Sequence, residues 1–325
     1  MHPFTRKLFL YHVVLLAGCS STKNAEAKSP TGTVSLHYVA RLYTMRISMS
    51  GKNVVLKNKY NTVEIETNSR RAWINGIMVW LHHPCRQYGK EWAIREVDFK
   101  QGIDCIMRSY AYLDKRTPKM VVLDPGHGGS DPGATGSRKK IDEKQVVLSI
   151  AMRVKAHLEA KKILVRMTRS SDTYPSLPAR TDHAYKVGAD LFVSIHCNAA
   201  GDSSASGVET FVMTVAGADS SNHYGQPGDK FEMKNNRFDA ANAVLGFSVH
   251  GNLVKHTKRS DRGLRRARLA VLKNAPCPAA LVECGFLSNP DEEALLASSN
   301  YREAAARGIS SGILGYFTLV KRARK

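Results

Sequence analysis

The chain has 325 residues, 43% hydrophobic and 23% charged, enough apolar material for one or two packed domains and too much for wholesale disorder. Lysine and arginine number 48 against 28 aspartates and glutamates, a formal charge of +20, which favours an anionic partner: a membrane surface, a cell-envelope polymer or nucleic acid. The basic residues are scattered, and the denser groups at 258–268 and 321–325 are not interleaved with stacking aromatics, so nucleic acid is not expected.

Arg6 and Lys7 precede an apolar run over 8–16 that closes on Leu16-Ala17-Gly18-Cys19. A short hydrophobic segment behind positive charge reads as a secretory signal, too short to span a bilayer as a mature helix. Its ending resembles the lipobox of bacterial lipoproteins, in which the cysteine, here Cys19, is acylated and becomes the new N-terminus. Tyr11 and His12 interrupt the run, and an ordinary cleaved signal with a chance cysteine is the plainer alternative. Residues 1–18 are then the signal peptide and 19–31 a polar tether. The lipobox resemblance implies an exported protein held at the periplasmic face of a bacterial envelope through Cys19. Ser20 in place of aspartate points to the outer membrane under proteobacterial sorting rules.

Over 32–114 the texture is short and β-leaning, with strands expected at 34–45, 54–56, 62–66, 71–74 and 78–81 and a hairpin at Asn75-Gly76. This region reads as a small separate β-rich domain with no catalytic constellation. Residues 71–98 resemble the small N-terminal domain of copper amine oxidases, a likeness that carries no catalytic residue over. His82 and His83 are adjacent and would point to opposite faces of a strand; they read as surface or turn residues.

A basic, proline-containing hinge at 115–119 leads into alternating strands and helices. Asp142 can cap a helix whose apolar face runs Val146, Ile150, Val154, Leu158. A strand at 163–168, a helix at 177–187 stopped by Gly188, and strands at 191–195 and 208–213 follow. A polar loop over 216–236, a helix at 237–255, a strand at 279–282, and helices near 290–297 and 301–316 close the pattern. Such alternation implies a largely parallel sheet wrapped by helices, an α/β fold.

Residues 121–136, VVLDPGHGGSDPGATG, run from a buried strand into a glycine-rich loop that carries His127. A phosphate loop is the competitor, but neither GK[ST] nor a GxGxxG opening a helix is present. Two further strand ends carry His196 and Glu283, and Glu143 opens the helix after the loop. Parallel strands deliver their C-terminal ends to one edge, where distant residues can meet. Two histidines and a carboxylate with a fourth position open make a catalytic zinc set, and the remaining glutamate is free to act as a base. Singly, each residue has a duller reading: a strand-end histidine bonding backbone, a helix-start carboxylate favoured by the dipole. Glu209 is a rival to Glu143 or, by strand alternation, a surface residue. Asp124 and Asp131 read as braces of the loop or its ligands, without metal contact. His157, His183, His250 and His256 read as helix-surface residues.

Taken together, VVLDPGHGGSDPGATG, the following DEK, ADLFVSIHCNA, the DRGL to VLKN stretch and ALVECGFLSNPDEEALL resemble the zinc-dependent N-acetylmuramoyl-L-alanine amidases that cut peptidoglycan. The resemblance runs from about Lys119 to Tyr316 and implies a catalytic domain over 119–319 followed by a basic tail at 320–325. It implies a mixed, mostly parallel six-stranded sheet flanked by helices. It also implies zinc ligands at His127, Glu143 and His196, a catalytic glutamate at Glu283, and substrate-facing roles for Asn198 and Arg180. Peptidoglycan is the expected substrate, with any activator or divisome partner unidentified. A zinc peptidase cutting stem peptides and a non-catalytic wall-binding protein are the alternatives. Cys197 and Cys284 stand where the family usually has small or aliphatic residues; a disulfide between them or two buried thiols are both open, and Cys85 with Cys105 is a second candidate pair. With Cys19 acylated, five of the six cysteines remain, so at least one stays outside any intramolecular pair. Some relatives carry an inserted helix that plugs the site; the short polar loop at 216–236 predicts none here.

Overall fold

The computed structural model describes residues 31–114, 116, 118–221 and 231–324. The signal, Cys19 and nearly all of the tether lie outside these residues, as does the middle of the loop in which no plug is expected. No described helix is long and apolar enough to cross a membrane.

The described chain opens with β1 (Thr33–Ser35) and α1 (Leu36–Leu42). The strand expected over 34–45 is therefore mostly helix. Leu36, Val39 and Ala40, spaced for one helical face, are the residues α1 buries, and the Ser35 hydroxyl caps it by accepting from the His37 N–H. A meander of β2 (Arg46–Ser50), β3 (Asn53–Lys57), β4 (Thr62–Glu66), β5 (Arg71–Ile74) and β6 (Ile77–Trp80) follows, each strand antiparallel to the next. Val54 and Leu56, Val63 and Ile65, Ala72 and Ile74 point into the core while their neighbours stay partly wet. The expected hairpin is present, with Asn75 and Gly76 at φ of 51° and 80°. β7 (Arg86–Tyr88) and β8 (Glu91–Arg95) join β1 in a separate three-stranded sheet. The passage α2 (Glu96–Asp98), a π-helical turn Phe99–Asp104 and α3 (Cys105–Met107) then leads on. Its buried Asp104 accepts hydrogen bonds from Tyr43, Tyr112 and Arg108.

The second half runs β9 (Met120–Pro125), α4 (Glu143–Glu159), β10 (Leu164–Met167), α5 (Leu177–Lys186), β11 (Leu191–Asn198), β12 (Val208–Val212), α6 (Asp239–Thr257), β13 (Asp261–Arg266), α7 (Ala270–Lys273), β14 (Ala279–Phe286), α8 (Pro290–Ala297) and α9 (Ser299–Ala323). Its six strands lie in the order β10-β9-β11-β14-β12-β13, and β12–β14 is the antiparallel pair among them. This is the mixed, mostly parallel α/β sheet expected. Alternate residues of one strand feed two cores: Val121 and Leu123 pack with α4, α6 and α9 on one face, and Val122 packs with Ala184 and Leu272 on the other. Burial on both faces explains why these strands read as continuous apolar runs.

The sheet does not stop at β13. Leu264 pairs in parallel with Val79 of β6, so six strands and the five of the meander form one eleven-stranded sheet. The β-rich region is thus fused edge to edge with its neighbour rather than standing apart. His82, read as a surface or turn residue, lies in a bend after β6 but is buried, with its Nδ1 2.9 Å from the Asp219 carbonyl. His250, also expected at the surface, is fully buried; its Nε2 lies 2.8 Å from Asp261 Oδ1 and its Nδ1 3.2 Å from Thr210 Oγ1. Neither disulfide candidate is formed: Cys85, Cys105, Cys197, Cys277 and Cys284 are free and buried.

Candidate metal centre

β9, β11 and β14 run in parallel and end on one edge, which is where the predicted site residues gather. β9 ends at Pro125, and the chain turns at Gly126 so closely against β11 that a Cβ there would lie 2.2 Å from Cε1 of His196; only glycine fits. His127 follows with φ of 58°, a left-handed backbone that turns its imidazole back over the sheet edge. Its Nδ1 lies 2.8 Å from Asp131 Oδ2, which leaves Nε2 facing Glu143 Oε2 at 3.2 Å.

Glu143 opens α4 and is 3% exposed. Its Oε1 accepts from the Cys197 N–H at 2.9 Å and lies 2.9 Å from His196 Nδ1, while Oε2 accepts from the Ala134 N–H at 2.9 Å. Burial pushes this carboxyl up, but the two imidazoles outweigh burial and hold it well below the usual carboxylate range. Burial likewise pushes the His127 imidazole down, and the Glu143 and Asp131 carboxylates reverse the sign, leaving it raised. The two rings meet edge to face with centroids 4.9 Å apart. One donor atom from each of His127, Glu143 and His196 lies within 4.8 Å of the others. Beside them is a cavity of about 50 Å³, walled partly by Tyr174 and Leu177. A larger groove of about 430 Å³ at the opposite, N-terminal end of the strands is lined by Lys119, Lys162 and Phe317 and has no such constellation.

Glu283 sits one strand over, in register with His196 on β11 and with Glu209 on β12. Its Oε2 is buried and has no hydrogen-bond partner. Burial pushes its carboxyl well up, and the nearby Glu143 and Glu209 charges add to the rise. Burial and like charge both favour the protonated form of this carboxyl, and a cation held by the three converged donors beside it would oppose them and favour the carboxylate, which places Glu283 for proton transfer.

The other predicted residues fall differently. Asn198 reaches the site edge, and its Nδ2 donates to Glu209 Oε1 at 2.6 Å. Glu209 is 3% exposed, not a surface residue, and lies outside the three-donor cluster. Arg180, expected to face substrate, is among the residues lining the smaller cavity but is 2% exposed; its guanidinium donates to Asp124 Oδ1 at 2.8 Å, Pro125 O at 2.8 Å and His127 O at 2.9 Å, so it also braces the loop. Arg169 braces the same loop and was not foreseen. It donates to Pro125 O at 3.0 Å, Gly126 O at 2.7 Å and Lys144 O at 2.8 Å, and its place after a half-exposed edge strand gave no sequence signal.

Residues 121–315, more than half of the chain and every member of this site, match the family described as N-acetylmuramoyl-L-alanine amidase. The chain belongs to that family. Among its relatives is N-acetylmuramoyl-L-alanine amidase AmiA of Escherichia coli, 34% identical over 221 residues that cover 61% of this chain and 76% of AmiA. The solved catalytic domain of CwlV, an N-acetylmuramoyl-L-alanine amidase from Bacillus (Paenibacillus) polymyxa var. colistinus, is 33% identical with a TM-score of 0.52 and covers 62% of this chain and 99% of that one. The Staphylococcus epidermidis protein named Probable cell wall amidase LytH is 28% identical over 298 residues, covering 91% of this chain and 83% of its own. That span exceeds what lies after residue 120, so the likeness reaches into the meander of this amidase.

Proposed function

We propose that this amidase is a zinc hydrolase that cleaves the amide bond between the lactyl group of N-acetylmuramic acid and L-alanine in peptidoglycan. The observation that carries the reading is the meeting of His127, Glu143 and His196 donors within 4.8 Å beside the unpartnered Glu283 carboxyl. Two imidazoles and one carboxylate, with room for water next to them, fit the donor set of a catalytic zinc site. Zinc held there supplies Lewis-acid polarisation of the amide carbonyl and makes water a better nucleophile near neutral pH.

The protein's own groups do the rest. Asp131 accepts the Nδ1 proton of His127 and so fixes the tautomer that leaves Nε2 free for a cation. The backbone N–H groups of Cys197 and Ala134 hold the Glu143 carboxylate in place. Glu283 takes the proton from the attacking water and returns it to the departing alanine nitrogen, so the lactyl carbon gains the hydroxyl and the stem peptide leaves as an amine. Arg180, Arg169 and Asp124 keep the glycine loop rigid beneath His127. The +20 charge suits an anionic envelope polymer. Export behind a signal at 1–18, lipid anchoring through Cys19 at the outer membrane, and a catalytic domain over 119–319 preceded by the β-rich region at 32–114 complete the proposal.

The test is metal analysis together with digestion of purified sacculi by the parent and by Glu283→Ala. The variant is expected to keep zinc and to lose about 10²- to 10⁴-fold in turnover, and mass spectrometry of the parent's products should show intact stem peptides freed from muramic acid. Fragments cut within the stem peptide, or undiminished turnover in the variant, would refute the reading.

A further inference from the structure

The meander carries no catalytic group, yet one of its side chains is joined by a series of contacts to Glu209 and Asn198, neighbours of the proposed site residues on β14 and β11. Trp80, the last residue of β6, lies against β13, where Gly263 at φ of 95° leaves room for it; a Cβ there would stand 2.8 Å from the indole. The indole Nε1–H donates to the Arg262 carbonyl at 2.9 Å. The Arg265 guanidinium is seated over the indole ring, 4.7 Å from its centroid, a stacking that favours arginine on tryptophan. From that seat Arg265 Nε reaches Glu209 Oε2 at 3.1 Å. Glu209 also pairs with Arg262 at 3.3 Å, and Arg262 is itself stacked on Phe286 at 4.7 Å. The other oxygen of Glu209 takes the Asn198 amide at 2.6 Å.

A continuous series of contacts thus runs from the meander to Asn198, which lies two residues beyond His196, and to Glu209, which sits in register with Glu283. We infer that Trp80 is a positioning residue: it seats Arg265, which orients Glu209 and through it Asn198, so the meander shapes the wall where substrate lies against Glu283. The inference deepens the amidase reading and rests on it. Without the indole, Arg265 keeps its hydrogen bond to the Arg262 carbonyl at 3.3 Å but loses the ring that fixes the plane of its guanidinium against Glu209. Asn198, whose Oδ1 still accepts from the Ala199 N–H at 2.8 Å, then has a less well placed acceptor for its Nδ2, while His127, Glu143 and His196, held from elsewhere, do not move. The effect belongs in substrate binding and not in metal content.

The experiment uses the full chain with purified sacculi as substrate. Trp80→Leu is expected to raise KM about five- to tenfold, the scale of a lost cation–π seat, with kcat within about twofold and zinc content unchanged, and with a lower Tm from the lost indole packing and hydrogen bond. Trp80→Phe, which keeps an aromatic face, should recover most of the affinity, and Trp73→Leu on the neighbouring strand should leave KM alone. Arg265→Gln should raise KM to the same degree, and the double variant should be no worse than Arg265→Gln alone. Should Trp80→Leu fail to fold, Arg265→Gln carries the test, since it leaves the indole hydrogen bond intact. An unchanged KM in Arg265→Gln, additive losses in the double variant, or a kcat loss that tracks lost zinc would each overturn the inference. A parent that binds sacculi but does not cleave them would instead sink the amidase reading.

Discussion

The two halves of the eleven-stranded sheet are built on opposite rules. In β9, β11 and β14 nearly every residue is buried, because helices cover both faces; in β3, β4 and β5 burial alternates, because one face meets water. The parallel half collects its strand ends at one edge and there gathers histidines and carboxylates. The antiparallel half returns each strand by a tight turn and gathers no such group. Chemistry therefore sits on one half while the other braces it, and the two meet through one short pairing of β6 with β13.

That contrast can be broken most forcefully at the joint. Asp261 accepts from the Met78 N–H at 2.8 Å and the Gly263 N–H at 2.8 Å and faces His250 Nε2 at 2.8 Å. Asp261→Ala strands buried donors on both halves and is expected to cost about 2 to 4 kcal/mol, seen as a lower urea midpoint in one cooperative transition. Two separated transitions in the parent would show instead that the halves fold independently.

Acid should loosen the same joint. Burial pushes the His82 imidazole down to about 4, whereas an unfolded histidine takes a proton near about 6.5. Stability from the neutral ring is therefore full above about pH 6.5 and lost as pH falls towards 4. Between about pH 7 and pH 4 the parent should lose about 2 to 3 kcal/mol more than His82→Gln. Equal acid sensitivity in parallel melts would count against a neutral His82.

On the catalytic half, Asp131→Asn removes the carboxylate that orients His127 and is expected to weaken zinc binding about 10- to 100-fold, with Tm of the metal-free protein little changed; competition with a fluorescent chelator reads it. The smallest effect belongs to the meander's outer face. Arg71 and Glu66 pair at 2.5 Å with the arginine 46% exposed, so Arg71→Ala should shift stability by less than about 1 kcal/mol and leave turnover unchanged.

Legibility followed the same division. Strands β3 to β6 of the meander and the face of α4 could be read because period and turn residues are local signals, and Asn75-Gly76 marked its own hairpin, whereas β2 at Arg46–Ser50, exposed along most of its length, was not expected. The meeting of His127, Glu143 and His196 was legible because each stands next to a strand end or helix start, where parallel topology favours convergence. β13 was not legible. Its DRGLRR is polar and carries glycine, and it holds its place through Trp80, Glu209 and His250, all supplied by other segments. The burial of Glu209 and His250 was missed for the same reason: each is satisfied by a charge from β13, and a partner distant in sequence leaves no periodic trace. α1 was mistaken for strand because Tyr38 and Val39 carry β propensity, which the 36, 39, 40 spacing overrides.

The thiols carry a practical consequence. All five cysteines among the described residues are interior and unlinked, and burial pushes Cys85 and Cys105 up to about 12, so almost no thiolate forms near neutrality. The fold of the described residues relies on no disulfide, so production under reducing conditions should yield the same packing of these residues. Alkylating reagents will leave those sulfurs unmarked until the chain opens, which turns their labelling into a clock for unfolding.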